Sequence, residues 1–172
     1  MNITLNNPIG VDKLIDRVQK HIYDELSWPK KVIYGRVFKN QVDGKKLPQP
    51  YLKGKEYKKD AFLEDDKNAH VFFLVDDTHK EVSGPMFEAD LKVVFMLNLS
   101  KVYPDNIDRA DLKSNLDAWE IISSRKDLRK IEVHSGIEQA LKGFDISTIK
   151  KMDIHPYHTF AIKATVRYLI NN

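Results

Sequence analysis

There is no cysteine anywhere in the 172 residues. That excludes a disulfide framework, a thiolate nucleophile and a sulfur-rich zinc site, and makes a reducing compartment the simplest setting. No apolar run approaches the roughly 20 residues that a helix needs to cross a bilayer. The opening segment, MNITLNNPIG, has neither the basic nor the apolar stretch of a secretory signal, so nothing in it directs export. Glycine is scarce, and Gly35, Gly44 and Gly54 stand alone, which leaves no glycine-rich phosphate loop. A nucleophile elbow of the G-x-S-x-G kind is missing as well. An excess of one charge is also lacking. The 28 basic and 25 acidic side chains leave only +3, too little to hold phosphate unless the cations cluster.

What is present describes a folded, water-compatible chain. Apolar residues make up 42% and charged residues 31%, and the length suits a single domain that can bury a core of its own. Charge is uneven along the chain. Residues 39–60 hold seven lysines against three acids, whereas residues 61–90 hold eight acids against two lysines.

Hydrophobic spacing sets out the elements. Val11, Leu14, Ile15, Val18, Ile22 and Leu26 recur at helical intervals, with Asn7 as a candidate cap, Pro8 in the first turn, and an end near Ser27-Trp28-Pro29. Lys31 to Phe38 is rich in β-branched and aromatic residues and reads as a strand. The polar stretch over 39–60, punctuated by Gly44, Pro48, Pro50 and Gly54, reads as a long basic loop or extended arm. His70 to Asp76 reads as a strand, the next residues to Gly84 as a turn, and the segment from Pro85 as the second half of a hairpin. In that half Phe87, Ala89, Leu91, Val93, Phe95, Leu97 and Leu99 share one face. Val94 and Met96 make its other face apolar near the end, so something covers it there, either another element or another subunit.

A second helix is expected from a cap at Asp108 to about Ser124, with Leu112, Leu116, Trp119 and Ile122 along one side. A short strand over 130–134 and a helical turn or two over 137–141 follow. Alternating Phe160, Ile162, Ala164, Val166, Tyr168 and Ile170 then make a half-buried terminal strand. The order implies an α+β fold: a four-stranded, mainly antiparallel sheet with two or three helices packed on one face, and a long basic arm.

Several strings in this order resemble the tail terminator and related neck proteins of tailed bacteriophages. They are Leu26-Ser27-Trp28 closing the first helix, Tyr34-Gly35-Arg36, Pro48-Gln49-Pro50-Tyr51, Glu64-Asp65-Asp66, Phe72-Phe73, and the Val94 strand ending in Asn98-Leu99. The resemblance covers roughly the first two thirds of the chain, and the terminal strand also fits. It implies a virion protein assembled in the host cytoplasm, a hexameric or dodecameric ring, and contacts with other tail, neck or portal proteins. DNA would pass through the lumen without sequence-specific contact. It brings no catalytic residue, cofactor or metal.

A head-to-tail ring needs two unlike, complementary patches on each subunit. The charge pattern offers a pair: Lys53, Lys55, Lys58 and Lys59 of the arm against a neighbour's Glu64, Asp65, Asp66, Asp76 and Asp77. The bland reading of both runs is solvated surface.

Three other constellations compete. Asp76 followed by Asp90-Leu91-Lys92 imitates the acid, acid-x-lysine pattern of magnesium-dependent nucleases, with Glu25 as a possible further ligand. An exposed, alternating strand face would give the same letters. His155 and His158 with Asp153 suit a divalent ion in type, though the intervening proline points to a loop leading into the last strand. The arm lysines interleaved with Tyr51 and Tyr57 suit single-stranded nucleic acid by charge and stacking.

Overall fold

The computed structural model describes residues 1–52, 56–106, 108–149 and 153–170. Its centre is an eight-stranded, mostly antiparallel open sheet in an α+β arrangement. In chain order the elements are β1 (Asn2–Ile3), α1 (Val11–Glu25), β2 (Lys31–Val42), β3 (Lys45–Leu52), β4 (Glu56–Tyr57), β5 (Ala69–Ser83) and β6 (Met86–Asn98). Then come α2 (Leu99–Val102), α3 (Asp111–Ser123), β7 (Leu128–Ser135), α4 (Ile137–Ala140) and β8 (Tyr157–Leu169). The strands lie in the order β4-β3-β2-β5-β6-β8-β7, and β1 pairs with the start of β2.

Strand alternation builds two cores, one on each side of the sheet. On the first face Leu91, Val93, Phe95 and Leu97 of β6 join Phe160, Ile162, Ala164 and Val166 of β8 beneath α1, α2 and α3. Val11, Leu14, Ile15, Val18 and Ile22 supply the α1 stripe, as their spacing predicts. On the second face Phe72, Val94, Met96 and Ala161 lie under Ala61, Phe62 and the α4 residues Ile137 and Ala140. The apolar second face of β6 is therefore covered from within the chain. Helices sit on both faces, with α4 opposite the others, and not on one face only.

Four further expectations are corrected. The sheet has eight strands, not four. Residues 39–60 are largely sheet: β2 continues to Val42, turns at Asp43-Gly44 and returns as β3, with Val42 opposite Lys45. Both turn residues have positive φ, 49° and 77°, the geometry of the tight two-residue hairpin that Asp-Gly favours. Pro48 and Pro50 belong to β3 and are buried; their carbonyls accept from Ala61 and Lys58 at 2.8 and 2.9 Å, bonds that need no proline N–H. Third, β5 runs through the expected turn to Ser83, so the reversal falls at Gly84-Pro85. Fourth, α1 begins at Val11 behind Gly10, and α3 at Asp111 behind Ala110, neither with a side-chain cap.

Polar stitches fix the layers. The buried Gln19 side chain donates to the carbonyls of Ile3 and Ile33 at 2.6 and 3.1 Å, tying α1 to β1 and β2. The Trp28 indole N–H donates to the Tyr103 hydroxyl at 2.8 Å, and that hydroxyl donates to Asp117 on α3 at 2.7 Å. Trp28 is buried, so Tyr103→Phe leaves its N–H unanswered. The expected cost is about 2 kcal/mol, read as a lower urea midpoint at unchanged slope.

Candidate functional site

On the second face, where the apolar floor gives way to polar residues, a cleft of about 380 Å³ opens between β2, α4 and the strands β5, β6 and β8. Asp76 and Asp77 of β5, Asp90 and Lys92 of β6, and Lys163 of β8 form part of its lining. Arg36, Phe38 and Lys39 of β2 and His134, Gln139, Lys142 and Phe144 complete the polar and aromatic lining. The acid, acid-x-lysine residues of the sequence pattern thus meet in one place.

Their surroundings determine what they are suited to. Lys92 and Lys163 are direct partners across the β6/β8 ladder, so two lysine side chains leave neighbouring backbone positions on one face of the sheet. Lys163 donates to Asp90 at 2.8 Å, and Thr165 donates to the same carboxylate at 3.2 Å. These bonds hold the Asp90 carboxyl below the usual carboxylate range and raise Lys163 above the usual lysine range. The Lys92 amine, half-buried, donates to the carbonyls of Gln139 and Ala140 at 3.1 and 3.4 Å, at the end of α4. Burial pushes Lys92 below the ordinary lysine range; Asp76 opposes that shift, while Lys163 and Lys142 add to it. Among the described residues no group of three His, Asp or Glu side chains is placed to hold a metal ion. Glu25 ends α1, in the layer across the sheet, and does not reach this cleft.

The residues expected at a subunit boundary fall in several places. Lys53 and Lys55 lie outside the described residues. Lys58 turns inward: it pairs with Glu64 at 2.7 Å and donates to the Tyr34 hydroxyl at 2.7 Å, so one basic-to-acidic contact closes within the chain. Lys59 and Asp65 are exposed beside a second cleft of about 450 Å³, lined also by Leu47, Phe62 and Met96. Asp66 pairs with its neighbour Lys67. Asp76 and Asp77 are exposed at the rim of the first cleft.

The histidines of the HPYH segment do not converge. His158 bonds Asn115 at 3.0 Å and lies 3.3 Å from Asp111, whereas His155 is 3.5 Å from the Ser100 hydroxyl. Asp153 accepts from the backbone N–H groups of Ile137 and Thr159 and acts as a brace.

One surface escaped the sequence reading. On α3 the buried residues are Ser114, Ala118 and Ile122, while Leu112, Leu116 and Trp119 are 71%, 50% and 41% exposed. The helical period was legible, but small residues let α3 sit close to the sheet and the large ones point sideways. Compared with known proteins, the chain matches no family model, no curated protein and no solved structure.

Proposed function

We propose that the chain is a non-catalytic subunit of a ring in the tail or neck of a tailed bacteriophage. In this reading it joins copies of itself and neighbouring tail, neck or portal proteins around the DNA passage of the virion. The observation that carries the reading is the apolar stripe of Leu112, Leu116 and Trp119 on α3. Contiguous exposed apolar surface of this kind marks a site of association. The opposite face of the sheet offers an unlike, concave surface, the second cleft with Leu47, Phe62, Leu63 and Met96 in its lining, and a head-to-tail ring requires two unlike, complementary surfaces. The inward Lys58–Glu64 pair takes one of the expected charge contacts into the subunit itself, and α3 supplies the contact proposed here.

Mass determination in solution, followed by imaging, tests the reading. A closed hexamer or dodecamer is expected, and Leu116→Asp with Trp119→Asp is expected to reduce it to monomers. Both side chains are solvent-exposed, so the thermal midpoint of the monomer should hold. A wild-type monomer that cleaves DNA with magnesium, and stops on Asp90→Asn, would replace the ring with the nuclease reading.

A further inference from the structure

We propose that the cleft between β2, α4 and the β5-β6-β8 floor binds the phosphate group of a ligand, whether a small phosphate ester or the backbone of a nucleic acid. The argument begins with the cross-strand pair Lys92 and Lys163. Like charges directly opposite one another destabilise a sheet, and a bound anion relieves that repulsion. Resident carboxylates offset part of it: Asp90 accepts from Lys163, Asp76 attracts both lysines, and Glu132 stands opposite Lys163 on β7.

The remaining donors point to an incoming group. An ammonium has three N–H bonds. The contacts of Lys92 to the Gln139 and Ala140 carbonyls use two, and the contact of Lys163 to Asp90 uses one. Lys142 lies in the same electrostatic field, and the Lys39 amine rests over the Phe144 ring, 5.6 Å from its centre, at the rim. Arg36 is only 4.0 Å from Asp12 and is engaged there. With Arg36 engaged at Asp12, four lysines against three carboxylates line the cleft, so its lining keeps a positive excess of one.

Ligand size and chemistry follow from the enclosure. At about 380 Å³ the space admits a phosphate with its attached sugar or ester, and Phe38 and Phe144 offer an apolar wall beside the cations. A phosphate presents several acceptor oxygens to lysines on adjacent strands, and charge-assisted bonds of this type are strong.

Calorimetry with inorganic phosphate and fluorescence polarisation with a labelled oligothymidylate, both at low salt, test the proposal. Wild-type protein is expected to bind phosphate, and Lys92→Gln to weaken it about tenfold through the lost charge-assisted bond. Should that variant fail to fold, Lys39→Gln with Lys142→Gln decides, because both side chains lie at the rim and leave the sheet untouched. Oligothymidylate binding that inorganic phosphate displaces would identify a nucleic-acid backbone as the source. Phosphate binding without oligothymidylate binding would identify a small ester. Absence of binding to either probe, or equal affinities in wild type and the rim variant, overturns the proposal. Ring assembly is read separately by mass, so neither result decides the other.

Discussion

Phe160→Ala is expected to lower the free energy of unfolding by about 4 kcal/mol, in the range found when a buried aromatic is truncated. Phe160 has no exposed surface and lies on β8, between β6 and β7. Phe95 is its direct partner on β6, and the two rings stack 4.7 Å apart at 7°. The Trp28 ring meets Phe95 edge-on at 5.9 Å, so the cavity would open beside the ring against which the indole packs. Strands held on both sides cannot collapse to fill it, which places the cost high in the range. Phe160→Leu keeps much of the volume and should cost under about 2 kcal/mol. Leu112→Ala, compared within the monomeric Leu116→Asp, Trp119→Asp background because Leu112 belongs to the proposed ring contact, should stay within about 0.5 kcal/mol. Urea unfolding of the three variants checks the ranking, and equal losses for Phe160→Ala and Leu112→Ala would contradict the assignment of this core.

The same contrast explains which parts of the fold were legible. A strand that buries one face writes an alternating pattern into its residues, and β6 and β8 were readable for that reason. The outer half of β5 carries Asp76, Asp77, Thr78, Lys80 and Glu81, which pack against little and read as a turn; its pairing to β6 is set by the partner strand. β3 was hidden by its prolines, although Asp43-Gly44 was a usable hairpin signal. For α3 the interval between large residues was informative and the choice of face was not, because Ser114 and Ala118 face the sheet. At the cleft the letters Asp76, Asp90 and Lys92 stood out in the sequence. Lys163 comes from a strand more than seventy residues later, and only the register places it beside Lys92.

Acidification should weaken the protein well above the range where carboxylates titrate, and His70 supplies the reason. Its side chain is fully buried, with Nδ1 3.2 Å from the Ala61 carbonyl, which makes Nδ1 the protonated nitrogen of a neutral ring. Nε2 is buried without a hydrogen-bond partner among the described residues and lies 3.9 Å from Glu64. Burial pushes the folded pKa down from 6.5 to about 4; Lys58 adds to the shift, while Glu64 and the Ala61 carbonyl oppose it. The folded value lies below the unfolded one, so the stabilising contribution is whole above pH 6.5. It declines as the pH falls, because the unfolded chain takes up a proton that the folded chain refuses, and the decline levels off below about pH 4. At 1.36 kcal/mol per unit, the loss across that window is about 3 kcal/mol. His158, also lowered mainly by burial, adds a loss of the same sign. His70→Gln keeps a donor for Ala61 and cannot titrate, so its stability should change less between pH 7 and pH 4.5 in paired urea titrations. Parallel curves for wild type and His70→Gln would show that the proton is taken up elsewhere.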